Sequence, residues 1–135
     1  TQAVVGPDTN SAIARYHFTL GFWGANGITR EDGFTTPDAA EAEVKRLSMR
    51  QTLHRFVLAD ASKADRVSRV TFADFDDATL VTSALPASSA LLGCENVMVV
   101  DARRALPPSP LLAVERNCQF LQIPAHKRAR MRNNT

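Results

Sequence analysis

Cysteine is scarce in this chain. Its two cysteines, Cys94 and Cys118, are too few for a disulfide framework and lack the paired spacing of a zinc site, so both read as free, structural thiols. No run approaches the roughly 20 consecutive apolar residues that span a bilayer. No basic-then-apolar signal opens the sequence either, so membrane contact is not expected and a cytoplasmic location is. Charge of one sign is also sparse. The formal net charge is +2, and much of the positive excess lies near the C-terminus in Lys127, Arg128, Arg130 and Arg132. The remainder is close to neutral, which argues against a basic nucleic-acid face spread over the fold. There is no internal repeat. The chain starts at Thr1 rather than at a methionine, so further sequence is expected upstream.

What is present fits one globular domain: 135 residues, 44% hydrophobic and 22% charged. A short apolar run at 3–5 reads as a strand. The turn sequence Gly6-Pro7-Asp8 follows, with Asp8 or Thr9 as cap of a helix to about Arg15. Residues 17–23 alternate loosely and are rich in aromatics, which predicts a strand running into Gly24-Ala25-Asn26-Gly27. Two glycines framing an asparagine mark a tight turn that can take positive φ and bring N–H groups close to a ligand, although such turns also occur without one. Residues 28–35 are polar and read as a loop. Thr36-Pro37-Asp38 then combines a cap, a proline suited to the first helical position and a first-turn acid, predicting a helix over 37–53. Its apolar residues fall on two sides (Ala40, Val44, Leu47 and Ala42, Met49, Leu53), as expected of a helix packed over a sheet. Glu41 and Lys45 are four apart on one face, which by itself reads as a surface ion pair.

The stretch 56–63, Phe-Val-Leu-Ala-Asp-Ala-Ser-Lys, carries the most chemistry. A short apolar run ends abruptly in an acid, a hydroxyl and a cation. Buried strands of parallel sheets read as such runs, and ligands of open α/β sheets bind just beyond the strands' C-terminal ends. Asp60, Ser62 and Lys63 would then point into a crevice, where an ammonium and a hydroxyl suit a phosphate or carboxylate. Taken alone, the same pattern is also that of a strand ending in a polar turn. Residues 70–72 read as an edge strand or irregular run, 78–82 and 96–100 as strands, and 86–92 as a short helix. Asp74, Asp76 and Asp77 lack the ligand count and the glycine of a calcium loop. Helices alternating with apolar strands predict an α/β fold, a mostly parallel Rossmann-like sheet with flanking helices. After Asp101, Pro107, Pro108 and Pro110 interrupt any element, residues 117–123 allow one more strand, and the basic end from Pro124 reads as disordered.

Four segments in order resemble the C-terminal sensor domain of DeoR-family bacterial sugar-responsive repressors. They are Phe22-Trp23-Gly24-Ala25-Asn26-Gly27-Ile28, Gly33-Phe34-Thr35-Thr36-Pro37, Glu41-Ala42-Glu43-Val44-Lys45-Arg46 and Leu58-Ala59-Asp60-Ala61-Ser62-Lys63. The resemblance covers about residues 5–82 and fades beyond Ala84. It implies a domain similar to ribose-5-phosphate isomerase and glucosamine-6-phosphate deaminase that binds phosphorylated sugars and relays this to a winged helix-turn-helix.

Several departures accompany the resemblance. Thr19 and Leu20 stand where an acid is common, and Ser83 stands where the family usually has Asp. The DNA-binding domain and the glycine-and-threonine phosphate loop of the first half of the sensor are absent from this sequence. Residues 1–105 are therefore expected to form an incomplete sensor domain and 106–135 a proline-containing, basic tail.

Carried over, Gly24, Ala25, Asn26 and Gly27 form the turn beside the effector. Glu41 and Lys45 are the pair on the facing helix, and Asp60, Ser62 and Lys63 the anion-binding corner. The related isomerases place an acid in the turn for proton transfer; here Asn26 can hydrogen-bond a hydroxyl but cannot act as a base. The expectation is an effector-binding domain that performs no chemistry and uses no cofactor or metal. DNA is then reached only through a domain outside this chain, and homo-oligomers are possible. The alternatives are an isomerase or deaminase of the same superfamily, with Glu41 as base and Lys63 as phosphate anchor, and a truncated remnant that binds nothing.

Overall fold

A computed structural model describes residues 4–100. The reading of residues 101–135, including the proposed strand at 117–123 and the boundary near 105, lies outside these residues. In chain order the elements are α1 (Pro7–Ile13), β1 (Phe18–Gly24), β2 (Gly27–Thr29), β3 (Gly33–Thr36), α2 (Ala39–Arg50), β4 (Thr52–Leu58), β5 (Val70–Ala73), β6 (Thr79–Thr82) and β7 (Val97–Val99). Strands β1, β4, β6 and β7 form a sheet in the order β1-β4-β6-β7, parallel throughout. A second, antiparallel sheet has the order β2-β3-β5, so β5 is the edge strand that its short sequence predicts.

Strand β4 organises the molecule. Register pairs Trp23 with Val57 and Phe22 with Phe56 on one side of it, and Val57 with Leu80 on the other. Because side chains alternate, the face of Trp23, Val57, Leu80 and Val97 turns toward α2 and the small sheet, where it joins Ile28, Phe34, Ala42, Met49, Phe72 and Leu91 in the core. Phe34, Val57, Leu80 and Leu91 are fully buried. Each such side chain contributes about 1.5–3 kcal/mol by leaving water. The Trp23 indole N–H also donates to Ser48 Oγ at 2.9 Å, which satisfies the ring's polar edge and pins α2 to β1. The opposite face carries Phe22 stacked on Phe56, with centroids 5.5 Å apart.

Five local expectations are corrected. The segment read as a loop, 28–35, contains most of a hairpin: β2 pairs with β3, and Ile28 and Phe34 are both buried. The turn between them is closed by Asp32 N–H donating to Thr29 Oγ1 at 2.9 Å, and Gly33 follows at φ 74. At Gly33 a Cβ would collide with the Ala73 carbonyl of the next strand, so only glycine serves. The strands, three and four residues long, are too short for polarity alternation to stand out in the sequence.

Helix α2 is shorter than residues 37–53. Its cap is Asp38, whose carboxylate accepts the Glu41 N–H at 2.9 Å, whereas Thr36 belongs to β3. At the other end the β-branched Thr52 begins β4 and donates its hydroxyl to Ser48 O at 2.7 Å, so Leu53 is a half-exposed strand residue. Helix α1 starts at Pro7 with Gly6 as its cap, and Val4 and Val5 join no strand. Residues 86–92 form turns instead of a helix. There the Ser89 hydroxyl accepts the Leu91 N–H at 3.2 Å and the Asp65 carboxylate accepts the Ala90 N–H at 3.1 Å, contacts that compete with helical bonding. Leu91 is nonetheless carried into the core. Among the described residues no helix is long and apolar enough to cross a membrane.

Candidate functional site

Parallel strands end on the same side, so the C-terminal ends of β1 at Gly24, β4 at Leu58 and β6 at Thr82 line one edge of the sheet. That is the edge at which open α/β sheets bind ligands. Each segment singled out in the sequence follows or faces one of these ends.

Beyond β1, the turn is built differently from its glycine content. Neither Gly24 nor Gly27 takes positive φ; Gly6, Gly33 and Gly93 do. Gly27 is required by space instead, because a Cβ there would lie 2.6 Å from the Arg66 carbonyl oxygen and 2.8 Å from Thr35 Oγ1. The Asn26 N–H is not offered to a ligand, since it donates to Thr35 O at 2.9 Å. Asn26 Oδ1 accepts the Thr36 hydroxyl at 3.3 Å, and Ala25 is buried in the core. The Thr35 hydroxyl donates to Gly27 O at 2.9 Å and accepts the Ser68 N–H at 2.8 Å. This threonine, fully buried, ties the turn to the chain that follows the second corner.

On α2, Lys45 lies across the end of β1. Its Nζ donates to Gly24 O at 2.9 Å, pairs with the Glu41 carboxylate at 3.1 Å and stands 5.0 Å from the centre of the Phe72 ring. The Lys45 side chain is only 14% exposed, so the ammonium is largely occupied in holding helix to strand. Glu41 is in turn engaged by that ammonium.

Beyond β4, residues Ala61–Lys63 form a single 3-10 turn capped by Asp60. Asp60 Oδ1 accepts the Ser62 N–H at 2.8 Å and also the Ser62 hydroxyl. The hydroxyl bond, then the N–H bond, hold the Asp60 carboxyl below its ordinary value, with Lys63 adding a smaller attraction. Lys63 Nζ itself has no hydrogen-bond or ion-pair partner among the described residues, and no such contact joins it to Glu41 or Lys45. An isolated parallel bridge between Ile28 and Ala64 sets the Lys63 turn directly beside the Gly27 turn. Ser83 accepts the Ala61 N–H at 3.0 Å, so the residue that departs from the expected acid still anchors this corner. Thr82 Oγ1, next to it at the end of β6, is buried and has no hydrogen-bond partner among the described residues.

The structure thus brings the nine residues into two groups. Lys45 touches both Gly24 and Glu41, and Asp60, Ser62 and Lys63 share one turn, which the Ile28–Ala64 bridge sets beside the turn of Ala25, Asn26 and Gly27. Thr35, Thr82 and Ser83 were not singled out for the site in the sequence. A buried role for Thr35 is signalled only by its position two residues after a glycine in a short strand. The acids Asp74 and Asp77 are used locally: Asp77 Oδ2 accepts the Asp74 N–H at 3.1 Å and closes a turn.

Comparison with known proteins agrees with this architecture. The family described as the DeoR C terminal sensor domain matches residues 1–84, ending where the resemblance fades. The chain is 42% identical over 83 residues to the uncharacterized HTH-type transcriptional regulator FruR of Bacillus subtilis, covering 62% of this chain and 33% of that protein. It is 39% identical over 80 residues to the HTH-type transcriptional regulator GlpR of Haloferax volcanii, covering 59% and 31% of the two chains. To the HTH-type transcriptional regulator IolR of Bacillus subtilis it is 29% identical over 86 residues, covering 64% and 34%. The matched region thus spans about a third of the length of these curated relatives. With the family's match covering more than half of its residues, the chain belongs to the DeoR C-terminal sensor domain family.

Proposed function

We propose that this chain is an effector-sensing domain of a sugar-responsive transcription regulator and binds a phosphorylated sugar or related metabolite without turnover. The observation that carries the reading is the state of Lys63. Lys63 lies in the turn at the C-terminal edge of the parallel sheet, beside the Gly27 turn, and its ammonium has no hydrogen-bond or ion-pair partner among the described residues. A lysine in that turn without such a partner suits a phosphate, and the buried Thr82 hydroxyl, which has no hydrogen-bond partner among the described residues, lies at the end of the neighbouring strand. Glu41 does not have the same freedom, because its carboxylate is paired with Lys45. Asn26 supplies no base. Both features favour binding over the proton transfer of an isomerase or deaminase. The relatives' names point to DNA as the output, reached through a helix-turn-helix domain outside this chain.

Isothermal titration of the folded chain against a panel of sugar phosphates tests the reading. Saturable heat with at least one of them, and no turnover of ribose 5-phosphate or glucosamine 6-phosphate in coupled assays, is the expected result. Absence of heat with all of them would overturn it. Turnover abolished by Glu41→Gln would replace it with the enzymatic reading.

A further inference from the structure

A cleft whose lining excludes Lys63 and its turn is lined by three arginines. Arg46 and Arg50 come from α2 and Arg55 from β4; Met49 and Phe72, both nearly fully buried, supply an apolar surface between them. The cleft has a volume of about 270 Å³, just below the roughly 300 Å³ at which small-molecule pockets begin. None of the nine residues assigned to the effector site lines it.

The donors of this cleft exceed its acceptors. Arg46 is anchored by Glu43 at 2.8 Å and by the Thr71 carbonyl at 2.7 Å. Arg55 Nε donates to Thr52 O at 3.0 Å, and one terminal nitrogen reaches the Asp77 carbonyl only at 3.5 Å. Arg50 has no hydrogen-bond or ion-pair partner among the described residues. Each guanidinium has five N–H donors, so most of those in the cleft have no acceptor among the described residues. Two carboxylates also line it, Asp74 and Asp77, and an oxygen of Asp77 is committed to the Asp74 N–H. Arg46 and Arg50 are four apart on one helix, a spacing at which like charges repel. An anion between the guanidinium groups relieves that repulsion and supplies the missing acceptors.

We propose that this cleft is a binding site for a compact oxyanion, phosphate or carboxylate, with Arg50 and Arg55 as its ligands and Arg46 as a fixed wall. The planar guanidinium fork matches either oxyanion bidentately, and the small volume excludes a large organic ligand. The site is independent of the sugar-phosphate reading, because it shares no residue with it.

The test is titration of the full chain with sodium phosphate and, separately, sodium acetate, against sodium chloride at matched ionic strength. Arg side-chain Nε–Hε resonances are followed by NMR. Saturable shifts of the Arg50 and Arg55 signals are expected with one oxyanion or both, and the stronger identifies the class. Arg50→Gln should weaken that binding roughly tenfold, as expected for a lost charged hydrogen bond. Lys63→Ala should leave it unchanged, which separates this site from the effector edge. Shifts that do not saturate, that chloride reproduces, or that survive in Arg50→Gln overturn the proposal. Arg50 is exposed at the end of α2, so its replacement leaves the core intact.

Discussion

The hydroxyl of Thr35 donates to the carbonyl of Gly27 across the β2–β3 pair at 2.9 Å, and the same oxygen accepts the Ser68 N–H. One buried hydroxyl therefore joins the glycine turn to the segment that follows Lys63. Replacing it by an isosteric Thr35→Val takes the hydroxyl from the buried Gly27 carbonyl and from the partly buried Ser68 N–H. A loss of about 1–3 kcal/mol is expected, read as a lower urea midpoint with an unchanged slope. A shift below the error of the measurement would mean that these backbone groups find other partners.

Gly27→Ala should also destabilise, for a different reason. The added methyl meets backbone atoms of Arg66 and Ser68, which cannot rotate away. A cost of about 1–3 kcal/mol is typical of such overpacking. Gly24→Ala is the control, since nothing lies within 4 Å of a Cβ there, and it should fall well below the Gly27 value in the same denaturation series.

Lys45 and Glu41 form an ion pair whose two halves are unequal. Lys45→Met removes a charged hydrogen bond to Gly24 as well as the pair, at an expected cost of about 1.5–3 kcal/mol. Glu41→Gln removes only a solvent-facing partner at helical spacing, at about 0.5 kcal/mol or less. Thermal melts of the two variants should show the lysine change to be clearly the larger.

Lys63→Ala should act on binding and not on folding. The ammonium has no hydrogen-bond or ion-pair partner among the described residues, and its attraction to Asp60 is a minor one, so stability should stay within about 0.5 kcal/mol of the parent. Sugar-phosphate affinity should fall roughly tenfold or more if Lys63 meets the phosphate. Equal titration curves for parent and variant would remove Lys63 from the site.

The Asp60 turn should be acid-sensitive in a defined direction. Hydrogen bonds from Ser62 lower the folded-state pKa of Asp60 below its unfolded value, so their stabilisation is fully present above the unfolded value. It is lost as pH falls through the lowered folded value. Ser62→Ala removes the hydroxyl bond, the largest cause, and should move the Asp60 titration upward toward the ordinary carboxylate range when followed by carbonyl-carbon NMR.

Much of the parallel sheet was legible from the residues, because buried parallel strands leave continuous apolar runs such as Phe56-Val57-Leu58, and Trp23 closes an aromatic strand. The polar corner at Asp60, Ser62 and Lys63 was legible for the same reason: its residue types change abruptly where the run ends. The hairpin at Gly27–Thr29 and Gly33–Thr36 was not. Its strands are only three and four residues long, and they are held by Thr35 and by Gly33 against Ala73, contacts made with residues distant in the chain.

Sequence alone determined which residues carry charge and where the apolar run of β4 gives way to a polar corner. Tertiary structure decided how each charge is used. Lys45 and Lys63 read alike as candidate cations, yet folding sets one against the Gly24 carbonyl, the Glu41 carboxylate and the Phe72 ring, and leaves the other, in the turn at the sheet edge, with no hydrogen-bond or ion-pair partner among the described residues. An ammonium's availability depends on which acceptors the fold brings within hydrogen-bonding distance, and that is a property of three-dimensional packing, not of local sequence.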